Sequence, residues 1–232
     1  MTSKKKSPTK PKTPTGIIQG SDAWRAMRCG RVTASRIADV MAYKKNGDEA
    51  AARLDYRTQI VTEMLTGIPF DYAYESPAMR WGTQQEPFAR ILYGQLRNVE
   101  VQQIAFAHHE ALEHAGASPD GRVGDDGLIE IKCPMSHTHL AYCLAGVVPE
   151  DYWMQILWQL ACLPERKWVD FVSFDPRVGR ALQIFIRRFH RNDWAEAQIQ
   201  LITKEVNKFI DESLTAVAAL KNLTPKYLYE KD

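Results

Sequence analysis

Ser118-Pro119-Asp120-Gly121 followed by Ile129-Glu130-Ile131-Lys132-Cys133-Pro134 constrains this chain more than any other stretch. It reads as two short extended segments with a turn between them, the turn chemistry supplied by Gly121, Gly124, Asp125, Asp126 and Gly127. Side chains alternate along a strand, so Glu130 and Lys132 share one face and Ile131 takes the other. Burying either charge alone would cost several kcal/mol, roughly the penalty of an unpaired ion, so each needs a partner or a bound ion.

Asp120 lies ten positions before Glu130, a separation that brings both carboxylates to one point in a hairpin. Two adjacent carboxylates repel, and one holds a proton unless a cation neutralises them. Hard oxygen ligands suit Mg²⁺ or Mn²⁺, which also lower the pKa of a bound water. Lys132 beside them suits orientation of that water, or stabilisation of charge developing on a phosphate. The set predicts metal-assisted phosphodiester hydrolysis. A surface hairpin with a solvated Glu–Lys pair accounts for the same short string.

The order Pro119-Asp120, then Glu130-Ile131-Lys132, resembles the PD-(D/E)XK nuclease superfamily. More of the chain matches more narrowly. Asp22-Ala23-Trp24, Arg28, Gly30 and Thr33-Ala34-Ser35 resemble the N-terminal motif of the lambda-exonuclease family of phage-type recombination nucleases. Trp81-Gly82, Gln84 and Glu86 resemble its helical acid motif, and Ala117–Gly121 with Glu130–Pro134 its metal motif. Tyr152, Met154, Gln155 and Gln159 resemble its following helix, and Phe174-Asp175-Pro176-Arg177 its next strand end.

The resemblance implies an α/β fold, a central mixed sheet flanked by helices, with a long C-terminal helix. It implies a 5′→3′ exonuclease that digests linear double-stranded DNA to mononucleotides and leaves a 3′ overhang for single-strand-annealing recombination. Asp120, Glu130, Glu86 and the backbone carbonyl of Ile131 would hold Mg²⁺ or Mn²⁺, as two ions. Lys132 would activate the attacking water, with Gln155 supporting it or the phosphate. Arg28, Ser35 and Ser118 match a 5′-phosphate pocket, and a guanidinium with two hydroxyls suits a phosphate dianion. An Arg–acid pair and helix caps are the plainer readings of these residues. Met79 falls where relatives carry an apolar wedge between terminal bases, and Lys44 and Lys45 fall in a basic loop within reach of the duplex. A ring-shaped homotrimer and a single-strand-annealing recombinase partner are also implied. The competing readings are an endonuclease of the same superfamily and a catalytically silent DNA-end-binding protein.

Composition adds limits. The 232 residues hold 30 basic and 28 acidic side chains. Five lysines and no acid fall in the first twelve residues, which leaves 25 basic against 28 acidic, a net of −3, in the remainder. DNA contact therefore requires a local basic patch. Residues 1–16, rich in Lys, Pro, Thr and Ser, read as a disordered tail, and 17–232 as a single exonuclease domain. No apolar run is long enough to span a bilayer and no signal region follows the lysines, which predicts a cytoplasmic protein without a membrane partner. Cys29, Cys133, Cys143 and Cys162 show no zinc spacing and read as reduced packing residues.

Local patterns predict helices from Ser21 to Met27, from Thr33 or Ser35 to Ala42, over 48–66, from Ser76 to Arg97, from Pro149 to Cys162, and from Asp193 to Leu220. Pro87 inside the fourth predicts a kink near Thr83. Val99–Ala107, Trp168–Phe174 and Ala181–Phe189 read as strands. His108 and His109 point apart on a strand, against a shared metal, and His137 and His139 read as exposed or capping residues at the head of a further helix.

Overall fold

The computed structural model describes residues 16–70 and 76–223. The lysines of the N-terminal tail lie outside that range. Helix α1 (Asp22–Arg28) is capped by the Ser21 hydroxyl, which accepts from the Trp24 N–H. Strand β1 (Val32–Thr33) follows, then a 3-10 turn (Ala34–Arg36) and a short α2 (Ile37–Val40), where one helix to Ala42 was expected. Helix α3 (Ala51–Thr66) ends at Gly67, whose φ of 67° is the left-handed cap that glycine adopts without strain.

Helix α4 (Pro77–Arg97) starts on the Ser76 cap, whose hydroxyl accepts from the Met79 N–H, and runs as one assigned helix through Pro87. Short strands β2 (Val101–Gln102), β3 (Ala107–His108) and β4 (Ala115–Ala117) precede the hairpin of β5 (Gly121–Val123) and β6 (Gly127–Lys132). Helix α5 (Ser136–Ala145), a 3-10 turn (Glu150–Tyr152), α6 (Trp153–Cys162), β7 (Trp168–Phe174), β8 (Ile184–His190) and α7 (Asp193–Lys221) complete the chain.

The single strand expected over Val99–Ala107 is two strands in two sheets. β3 joins β1 and β4 in a three-stranded sheet, and β2 is the edge of a five-stranded sheet ordered β2-β5-β6-β7-β8. Between them the Ile104 carbonyl accepts from the side chain of Gln19, 85 residues away in sequence. β6 and β7 pair in parallel and the other neighbours antiparallel, so the larger sheet is mixed.

Alternation along β6 sorts the molecule into layers. Leu128 packs with Val169, Phe171 and the helices α2, α3, α6 and α7. Ile129 and Ile131 pack on the opposite face with Val172, Phe174 and with Ala89 and Tyr93 of α4. Ile156, Leu157, Trp158 and Leu160 of α6 are at most 1% exposed, each contributing about 1.5–3 kcal/mol by burial. Below α4, buried Asp170 accepts from Tyr93 at 2.8 Å and from Arg188 at 2.7 and 2.9 Å, which ties that helix to the sheet.

Two of the glycines expected to build the turn do something else. Gly121 and Gly127 open β5 and β6, and a Cβ on Gly121 would collide with Val101 Cγ1. The turn falls to Gly124, at φ +55°. β8 starts at Ile184 rather than Ala181. His139 is fully buried, with Nδ1 2.7 Å from the Ser173 hydroxyl and Nε2 2.7 Å from the Leu182 carbonyl, so the exposed or capping role expected of it is wrong. Its partners lie 34 and 43 residues away, beyond the reach of a local pattern.

Candidate active site

The β5–β6 hairpin sets Gly121 opposite Ile129, and this register delivers Asp120 to the middle of β6. The Asp120 carboxylate accepts the Ile131 N–H at 2.6 Å. Glu130 turns to the α6 side of the sheet and is 1% exposed. Gln155 Nε2 donates to its Oε1 at 2.5 Å, and Gln159 Nε2 donates to its Oε2. Lys132 Nζ lies 2.6 Å from Glu130 Oε1 and 3.3 Å from Gln155 Oε1, above the ring of Tyr152. One turn of α6 thus holds both oxygens of Glu130, because Gln155 and Gln159 are four residues apart on one helix face.

The electrostatics follow from this crowding. Loss of water around the Asp120 carboxyl, then the charges of Glu130 and Glu86, push its pKa well above the carboxylate range, with Lys132 and the Ile131 N–H opposing. Burial pulls Lys132 down, but Glu130, Asp120 and Glu86 outweigh it and hold the ammonium above its ordinary value. Cys133 is buried, and burial with the neighbouring carboxylates pushes its thiol up to about 12, an inert packing residue.

Glu86 does not join this cluster directly. Its carboxylate pairs with Arg90 one turn along α4, and among the described residues no three His, Cys, Asp or Glu side chains close on one point. Asp120 and Glu130 nevertheless form a pair of hard oxygen donors with the Ile131 carbonyl between Glu130 and Lys132. Burial raises Asp120 most and repulsion from Glu130 adds to it; a divalent cation would relieve that repulsion, so the residues fit Mg²⁺ or Mn²⁺.

The residues expected to bind a phosphate fall at a second place. A cleft of about 560 Å³ is lined by Arg25, Arg28, Arg31, Arg36, Ser35 and Met79, among others. The Arg28 guanidinium lies over the Trp24 ring at 4.3 Å and donates to Thr33 Oγ1 at 3.3 Å. Arg36 lies over Tyr56, also at 4.3 Å. Met79 is 54% exposed, not a core methionine. Ser118 does not line the cleft; its hydroxyl accepts the indole N–H of Trp24, the ring that Arg28 covers, at 3.0 Å. Lys44 and Lys45 are exposed on the turn between Tyr43 and Glu49, outside the cleft lining. His109 stacks on Trp158 and His108 meets Phe106 edge-on, each held in the packing.

Sequence reasoning gave no role to Gln159, Arg90 or the clamp at the end of β7. There Arg177 lies 4.2 Å over Trp81 of α4, chelates Asp175 at 2.7 and 3.1 Å, and donates to the Pro134 carbonyl. Arg177 and Ser136 outweigh the burial of Asp175 and bring its pKa down to about 2. The four-residue spacing of Glu86 with Arg90 and of Gln155 with Gln159 is the signal that could have found two of these.

A family model for the YqaJ-like viral recombinase domain matches residues 23–163, more than half of the chain, and spans both the cleft and the acid cluster. The chain belongs to this family. Among solved structures, it is similar to an alkaline exonuclease, LHK-Exo from Laribacter hongkongensis, at 38% identity over 87% of this chain and 96% of that one, with a TM-score of 0.76. The same protein in complex with dAMP matches at 38% identity over the same shares, with a TM-score of 0.77. A phage related exonuclease from Haemophilus somnus 129PT matches at 14% identity over 80% of this chain and 96% of that one, with a TM-score of 0.57, a likeness of fold alone. A search of curated proteins found no match. The fold of this YqaJ-like chain is mixed α/β with a long C-terminal helix, as the resemblance implied. No described helix is long and apolar enough to cross a membrane.

Proposed function

We propose that this YqaJ-like protein is a metal-dependent exonuclease that digests linear double-stranded DNA from 5′-phosphorylated ends, in the 5′→3′ direction. The products are mononucleotides and a 3′ overhang for single-strand annealing. The observation that carries the reading is the enclosed Asp120, Glu130 and Lys132 cluster clamped by Gln155 and Gln159. Its similarity to an alkaline exonuclease, and to the same protein bound to a mononucleotide, supports the substrate class.

A divalent cation held by Asp120, Glu130 and the Ile131 carbonyl would supply Lewis acidity at the scissile phosphate. Gln155 and Gln159 fix the Glu130 carboxylate so that it need not reorganise. Lys132, held as an ammonium by its acidic neighbours, acts as a donor: it orients the attacking water and stabilises phosphate charge without taking a proton. Water attacks phosphorus, the bond to the 3′ oxygen of the terminal nucleotide breaks, and the proton the water gives up to solvent is matched by one that the leaving 3′ oxygen takes from it. The released mononucleotide keeps its own 5′ phosphate, and the shortened strand carries a new one. Each cycle therefore regenerates the group that Arg28 and Ser35, both in the cleft lining, would read. Ser118 acts on that group through Trp24, and Met79 on the rim meets the terminal base. A ring-shaped homotrimer and an annealing recombinase belong to the same proposal.

Asp120→Ala and Lys132→Ala test it by nuclease assay on linear duplex with Mg²⁺. Each is expected to lose on the order of 10³-fold in rate, as for removal of a group that stabilises transition-state charge. Near wild-type rates in either variant would overturn the site.

A further inference from the structure

Arg90 touches both halves of the acid site and has no part in the mechanism above, and the inference drawn from it rests on that reading of the cluster. Its side chain is 12% exposed, against 31% for Glu86. Nη2 donates to Glu86 Oε1, and Nε donates to the main-chain carbonyl of Asp120 at 3.1 Å. With the Gln103 amide turned to accept, its oxygen stands 2.9 Å from Nη1 and 3.3 Å from Nη2. One guanidinium therefore spans α4, the residue before β5 and the segment after β2. The better-enclosed, multiply anchored Arg90 is the fixed post, and Glu86 is the side chain it holds.

The need for such a post is local. Pro87 brings no N–H to the helix, so the Thr83 carbonyl lacks its intrahelical donor in the turn that carries Glu86. Thr83 turns its own hydroxyl back to the Met79 carbonyl and supplies no replacement. Glu86 thus sits on a turn of α4 that lacks one intrahelical hydrogen bond. A tie from the next turn to the Asp120 carbonyl couples its position to the hairpin.

We infer that Arg90 is a positioning residue that holds Glu86 beside Asp120 and Glu130 as a further carboxylate for a divalent cation. The alternative, a guanidinium that occupies the cation's place and withholds Glu86, predicts the opposite sign on removal.

The test is Mn²⁺ binding to the full chain without DNA, followed by electron paramagnetic resonance of free Mn²⁺, with thermal melts on each variant. Arg90→Met is expected to weaken Mn²⁺ binding about 10-fold, the usual scale for a group that orients a ligand. Glu86→Gln weakens it to a similar extent, and the double variant is no weaker than Glu86→Gln, because Arg90 acts through Glu86. Arg90→Lys, which keeps the charge but not the fork, falls between Arg90→Met and wild type and carries the test if Arg90→Met does not fold. Unchanged or tighter Mn²⁺ binding in the folded Arg90 variants overturns the inference and leaves the proposed function standing. So does a double variant as weak as the two single effects multiplied. Absence of Mn²⁺ binding to the wild-type chain, or wild-type affinity in Asp120→Asn, overturns both.

Discussion

The acid cluster and the arginine-lined cleft are joined by Ser118-Pro119-Asp120, and they treat charge in opposite ways. Ser118 accepts from Trp24, which lines the cleft, and two residues on Asp120 enters the cluster. The cluster encloses like charges and pins them with side chains from another helix. The cleft lays two of its arginines, Arg28 and Arg36, over aromatic rings. A cluster of this kind is held against its own repulsion by the surrounding fold, so it should surrender stability to keep function. The cleft gathers like charges too, but Arg28 and Arg36 lie over aromatic faces, so changes at Arg28 should act first on recognition.

The largest effect separates the two most sharply. Asp120→Asn should lose on the order of 10³-fold in nuclease rate and yet melt higher. The sign follows from linkage: the folded carboxyl has a raised pKa, so its contribution to stability falls as pH rises from the ordinary 3.8 through that raised value, and stays lost above it. An amide removes that loss while still accepting the Ile131 N–H. Thermal melts at neutral and alkaline pH should show a gain of about 2–4 °C, the shift expected for roughly 1 kcal/mol. A lower melting point at high pH breaks the comparison.

The same titration should govern the cation. A proton on Asp120 competes with it, so Mn²⁺ affinity should climb about tenfold per pH unit up to the raised pKa and then level off. Calorimetric binding across pH checks this, and a flat profile contradicts it.

In the cleft, Arg28→Gln should slow digestion of 5′-phosphorylated duplex about 10-fold, the worth of one charge-assisted hydrogen bond. It should leave 5′-hydroxyl ends and Mn²⁺ affinity unchanged. The smallest effect lies outside both regions. Lys44→Ala with Lys45→Ala should lower the slope of log affinity against log salt by about 0.9 for each phosphate that the lysines neutralise, read from duplex binding without cation.

Much of the site could be read in the chain because its spacing is local. The ten-position step from Asp120 to Glu130 fits one hairpin, and the helix expected from Pro149 to Cys162 contains α6. What escaped depends on distant partners. Val99–Ala107 is one extended run by composition, and only the sheets it meets divide it. Gly121 looks like turn chemistry until Val101 is placed against it. Arg90 shows its pairing with Glu86 by spacing alone, but its hold on the Asp120 carbonyl crosses 30 residues. The turn between Glu86 and Arg90 also contains Pro87, which signals a kink and masks the brace.

The most direct test of the central claim is digestion of a linear duplex labelled at one 5′ end, with and without Mg²⁺, beside a covalently closed circular duplex. Immediate release of labelled mononucleotide, from linear DNA alone and with the cation alone, is the predicted result. Nicked or linearised circles, release beginning at the 3′ end, or an equal rate without the cation would contradict it.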